Sequence, residues 1–114
     1  MIVDINQLIT DIKNTVSDLL NKDIETVRGF SARQLTGIAN QTALVASGIT
    51  TGQITEATRD FFLDQLVELA KNFVNTLVGL VIATIERLWN AVVKVIWDTI
   101  SKITGSVIPA FKPL

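Results

Sequence analysis

The chain has 114 residues, ten Lys/Arg against eleven Asp/Glu for a formal net charge of −1, and no cysteine, histidine or tyrosine. Without cysteine and histidine it lacks the thiol nucleophile and the usual metal ligands, and without a basic cluster it lacks the concentrated positive charge that nucleic acid requires. Charged residues make up 18% of the chain, below the roughly 25% of ordinary soluble domains.

Mean hydropathy is +0.43. A chain this short has too much surface to hide so much apolar material unaided. That predicts self-association into a homo-oligomer, docking on other subunits of a larger assembly, or contact with a lipid membrane. The first residues, Met1, Ile2, Val3 and Asp4, offer neither a basic region nor an apolar core for a signal peptide. No lipidation motif is visible.

The first helix is expected over about 4–20. Ile2, Ile5, Ile9, Ile12, Val16 and Leu19 recur at spacings of three and four, a heptad seam. Asp4, Asp11 and Asp18 repeat every seven residues on another face. They read as a solvated stripe, with a docking stripe for a basic partner as the sharper alternative; Asp4 is also a candidate N-cap. Asn21, Lys22 and Asp23 suggest a break, although one continuous helix through this point is the competing reading.

A second helix is expected over about 23–47, capped by Asp23, with Leu35, Ile38, Thr42, Val45 and Ile49 as its seam. Gly29, Gly37 and several alanines dilute it. Gly48, suited to a left-handed position after a helix end, opens a loop over 48–54.

Thr55 is the expected N-cap of the third helix. No proline lies between Thr55 and Pro109, so one helix is expected to run over about 55–103, roughly 70 Å at 1.5 Å per residue. Gly79 is its one expected bend. Phe62, Leu66, Leu69, Phe73 and Leu77 form the apolar seam of its first part, opposite Asp60, Asp64, Glu68, Lys71 and Asn75. Asp60 and Asp64 share a face, as a cation site or acid–base pair would, but no second ligand set accompanies them, and a solvated ridge is the better reading.

The middle is different. Residues 76–85 are apolar or small all the way round, and a helix with no polar face is buried on every side. This belt is the main argument for an outside partner, and finding it bare in a single subunit would remove that argument. Gly79 and Ala83, four apart, suit close helix crossing or simple relief of crowding. Beyond the belt, Glu86, Asn90, Lys94, Asp98 and Lys102 form a polar stripe. Opposite lies a broad apolar face of Ile85, Leu88, Trp89, Val92, Val93, Val95, Ile96 and Ile100, with Trp89 and Trp97, eight apart, roughly on one side. The two tryptophans suit a core, with a membrane interface as the lesser alternative. The uncharged run 72–85 is shorter than the ~20 residues that a span takes, so the membrane reading is one of a helix lying in the interface, or of several copies shielding Glu86 and Arg87.

The predicted contact surface is Leu77, Gly79, Leu80, Ile82, Ala83, Ile85, Trp89, Val92, Ile96 and Trp97. A short extended tail over 105–114, broken by Pro109 and Pro113, adds Val107, Ile108, Phe111 and Leu114 as further contacts.

No phosphate-binding glycine loop and no Gly-x-Ser-x-Gly elbow is present. Nothing supplies a base for a serine, threonine or lysine nucleophile. No enzyme activity, cofactor or small-molecule substrate is expected. The runs LAKNFVNTLVGL (69–80) and TIERLWNAVVKVIW (84–97) resemble small helical proteins encoded by bacteriophages and prophages. The resemblance covers about a quarter of the chain, is one of style, and implies a virion-associated structural component; no functional residues come with it.

The reading is therefore an all-α, elongated three-helix hairpin or bundle with one very long C-terminal helix. Its role is that of a non-catalytic structural or assembly protein that associates through that helix. The alternative is a membrane-associated protein using the same surface against lipid.

Overall fold

The computed structural model describes residues 3–105. Among them are four α-helices of moderate length and one 3₁₀ turn, with no strand: α1 (Ile5–Leu20), the 3₁₀ turn Ile24–Thr26, α2 (Ala32–Thr50), α3 (Glu56–Asn75) and α4 (Ile82–Thr104). The predicted tail contacts Val107, Ile108, Phe111 and Leu114 lie outside the described residues.

Helix α1 begins where Asp4 caps it, its carboxylate accepting from the Gln7 N–H at 3.0 Å. It ends at Asn21, which adopts the left-handed conformation at φ 58°, as asparagine tolerates better than most residues. The heptad seam places Ile12 and Val16 in the core. Leu8 is buried there too, while Ile5, Ile9 and Leu19 are half-buried.

The second helix starts later than its sequence suggested. Asp23 caps only the 3₁₀ turn, accepting from the Glu25 N–H at 2.9 Å. The chain then turns through Gly29 at φ +90°, and Ser31 caps α2 by accepting from the Gln34 N–H at 3.2 Å. A positive φ at Gly29 is incompatible with continuing the helix. The far end also differs, because Gly48 is helical and α2 runs two residues beyond it. Its missing side chain serves another purpose. Ile54 folds back onto it, donating its N–H to the Gly48 carbonyl at 2.9 Å, and a Cβ on Gly48 would sit 2.5 Å from the Ile54 Cδ1.

The single long helix expected over 55–103 is two helices. Thr55 precedes α3, and the Thr58 hydroxyl accepts from the Thr55 N–H at 3.1 Å. The helix stops at Asn75, however, and α4 starts at Ile82. Gly79 takes φ +85° between them, so it reverses the chain where a bend was expected. The physical reason lies in the apolar face of α4. A continuous rod would strand Leu88, Val92, Val93, Ile96 and Ile100 away from the rest of the chain; folding back buries all five completely against it. The interior of a run of apolar and small residues offers no polar face to hold a helix in water, and Gly79 supplies the weak point.

The helices alternate in direction, and every pair meets except α1 with α3. Helix α2 touches all three others, which its small buried residues Ala39 and Ala46 permit. The bundle measures 42 × 27 × 19 Å. One end holds the α1–α2 linker beside the α3–α4 turn. There the Val78 N–H donates to the Arg28 carbonyl at 2.7 Å. The Thr76 hydroxyl lies 3.0 Å from the Gln34 side-chain oxygen and donates to the Phe73 carbonyl at 2.7 Å. Phe30 meets Phe73 edge to face with ring centroids 6.1 Å apart.

Candidate docking surface

The predicted contact residues divide between the interior and the α3–α4 turn. Trp89 and Trp97 are only 3% and 8% exposed, and Val92 and Ile96 are completely buried. All four face the core of their own chain, and the Trp89 indole N–H points to the Val67 carbonyl of α3 at 3.4 Å. The sequence reading set this apolar face against an outside partner. Three other helices of the same chain cover it.

The belt over 76–85 also differs from its reading as a helix buried on every side. Leu77 packs into the core, Leu80 and Ile85 are half-buried, and Gly79, Ile82 and Ala83 are exposed. Because most of this stretch is a turn and not a helix, the argument from its having no polar face falls. A different observation takes its place. Val78, Val81 and Ile82 expose 50%, 69% and 75% of their surface, and all three fall within five consecutive residues at the α3–α4 turn. Single exposed aliphatic residues need no explanation, but a contiguous group does. Residues 78–83 carry no polar side chain at all.

This turn is held firmly. The 2.7 Å bond from Val78 to Arg28 ties it to the α1–α2 linker. The approach is close because Gly29 lacks a side chain, since a Cβ there would lie 2.0 Å from the Thr76 carbonyl oxygen. Val81 stands at the N-cap of α4 without offering a capping oxygen, and the first turn of that helix contains no acid. The unfavourable cap leaves the positive end of the α4 dipole at the surface.

A second exposed group lies on the side of the bundle, where Leu44 of α2 and Phe61 and Leu69 of α3 face outward. Phe61 and Leu69 line a shallow apolar depression with Gln41, Asp64, Gln65 and Glu68. The seam read for α3 placed Leu69 inside and did not single out Leu44 or Phe61. Their positions on otherwise polar helical faces were the available signal.

The acidic stripe has a definite place. Asp4, Asp11 and Asp18 line a groove between α1 and α4 together with Asp98 and Lys102. Several of these carboxylates have local partners: Asp4 caps α1, Asp11 accepts from the Gln7 amide at 2.8 Å, and Asp98 pairs with Lys94 at 2.8 Å. Asp60 and Asp64 are exposed on α3. Among the described residues, no group of three or more acids is placed to hold a metal ion, and no helix is long and apolar enough to cross a membrane.

No protein-family model, curated protein or solved structure matches this chain.

Proposed function

We propose that this chain is a non-catalytic structural or assembly protein that docks by the α3–α4 turn, with Val78, Val81 and Ile82 as its contact residues. The observation that carries the reading is the contiguous exposure of these three side chains on a turn pinned to the neighbouring linker. Exposed apolar groups of this kind mark interaction sites, and a rigid turn loses little conformational freedom on contact. The helix-to-helix association expected through Trp89 and Trp97 has no support, since both are occupied within the bundle. A virion component, the setting implied by the phage resemblance, is one assembly that would use such a module.

The test is the mass of the purified full-length particle, with and without detergent, for the native chain and for Ile82→Asp. Docking by this turn predicts association or partner retention in the native chain and its loss in the variant, which stays folded. An Ile82→Asp protein that keeps every association of the native chain overturns the reading.

A further inference from the structure

We propose that the surface on which the α3–α4 turn seats is an anionic lipid layer, with Val78, Val81 and Ile82 entering the headgroup region and Arg28 and Arg33 pairing with its acidic groups. The inference rests on the docking reading above and names the partner of that same site.

Three observations favour lipid over a protein partner. The first is charge. The linker that abuts the turn is balanced, Lys22 and Arg28 against Asp23 and Glu25, and Arg33 at the start of α2 tips this end positive; between Glu25 and Glu56 the only charged residues are Arg28 and Arg33. Both are exposed, and neither is ion-paired; the pairs among the described residues are Lys13–Glu25 and Lys94–Asp98. Arg28 lies against the turn through its carbonyl bond to Val78, and Arg33 neighbours Gln34, whose side chain meets Thr76. Of the acids at this end, Glu25 is held by Lys13, Asp23 caps the 3₁₀ turn, and Glu86 adjoins Arg87. The uncapped start of α4 adds the positive end of a helix dipole.

The second is area. Three aliphatic residues at these exposures present on the order of 300 Å². A specific protein interface takes about 800 Å² per partner. A lipid layer has no such minimum, because attachment sums a shallow apolar insertion with attraction of each nearby cation. The third is form. The apolar residues sit at one end of an elongated bundle, on a reversal of the chain, and no described helix is long and apolar enough to cross a bilayer. That combination suits shallow contact with a planar surface.

The experiment is co-sedimentation of the full-length chain with vesicles of phosphatidylcholine, with and without phosphatidylserine, at low and high salt. Circular dichroism of each variant confirms the fold. The native chain is expected to bind vesicles containing phosphatidylserine, to bind phosphatidylcholine alone far less, and to release at high salt. Each cation near an anionic surface contributes about fivefold, so Arg28→Gln/Arg33→Gln should weaken binding by about 25-fold. Val81→Asp/Ile82→Asp should remove it. Failure of the native chain to bind either vesicle overturns the lipid proposal. If that chain is still a multimer or partner complex that Ile82→Asp breaks, the docking reading stands without it. Equal binding to both vesicles overturns the anionic requirement. Vesicle binding unchanged in both double variants overturns the lipid proposal and the turn as the docking site together.

Discussion

The Val78 amide donates to the Arg28 carbonyl across 2.7 Å, joining two connections that are fifty residues apart in the chain. The bond forms only because Gly29 follows Arg28. Its φ of +90° lies in the region that side chains avoid, and an added methyl would meet the Thr76 carbonyl oxygen at 2.0 Å. Gly79 also has a positive φ, but open space surrounds it. Gly29→Ala is therefore expected to destabilise the fold by about 3 kcal/mol or more, combining strain with a backbone clash. Gly79→Ala should cost only about 1 kcal/mol, the conformational part alone. Urea denaturation of the two variants checks the difference; equal losses would show that the close approach at Gly29 is not needed.

Val81 and Ile82 contribute almost nothing to the core, being 69% and 75% exposed. Replacing either with aspartate should change folding stability by about 0.5 kcal/mol or less while abolishing docking. A thermal melt together with a measured particle mass separates the two effects. A large fall in melting temperature would mean that the turn is structural.

Trp89 and Ile96 are expected to behave in the opposite way. Both are buried among α4's neighbours, so Trp89→Ala and Ile96→Ala should each cost about 3–5 kcal/mol through lost burial and the cavity left behind. Chemical denaturation measures this. Variants as stable as the native chain would imply that α4 does not pack as described.

Polar contacts on the surface differ in worth according to their geometry. The Ser31 hydroxyl satisfies an amide at the start of α2, and Ser31→Ala should cost about 1 kcal/mol. Lys94 and Asp98 form an i,i+4 pair with both side chains about two-thirds exposed, and Lys94→Ala should cost only a few tenths of a kcal/mol. A Lys94→Ala loss as large as that of Ser31→Ala would contradict this ordering.

The helical class and much of the core patterning were legible from periodicity. Leu35, Ile38, Thr42 and Val45 recur at helical spacing and are all buried in α2. Asp4 and Thr55 marked helix starts through their capping chemistry, and each stands at one. The break after Asn75 was hidden because neither proline nor a polar cluster announces it. Gly79 was read as a bend because glycine alone does not distinguish a kink from a reversal; that choice depends on what the following helix gains by packing back. The late start of α2 did have a local signal, since Ser31 and Gln34 have the spacing of a capping box, but Asp23 offered an equally plausible cap eight residues earlier. The contact surface was legible only in part for the same reason. An apolar face on α4 looks alike whether its cover comes from another molecule or from α1, α2 and α3, so Trp89 and Ile82 were grouped together although one is interior and the other exposed.

Burial of both tryptophans on α4, in a chain without tyrosine, makes intrinsic ultraviolet emission a report on the seating of that one helix. The α3–α4 turn contains no chromophore, and the chain contains no thiol. A dye on a single cysteine introduced at exposed Ala83 would therefore watch attachment on a separate optical channel. Loosening of the interior and release of the bound surface become two signals that are distinguishable in one cuvette.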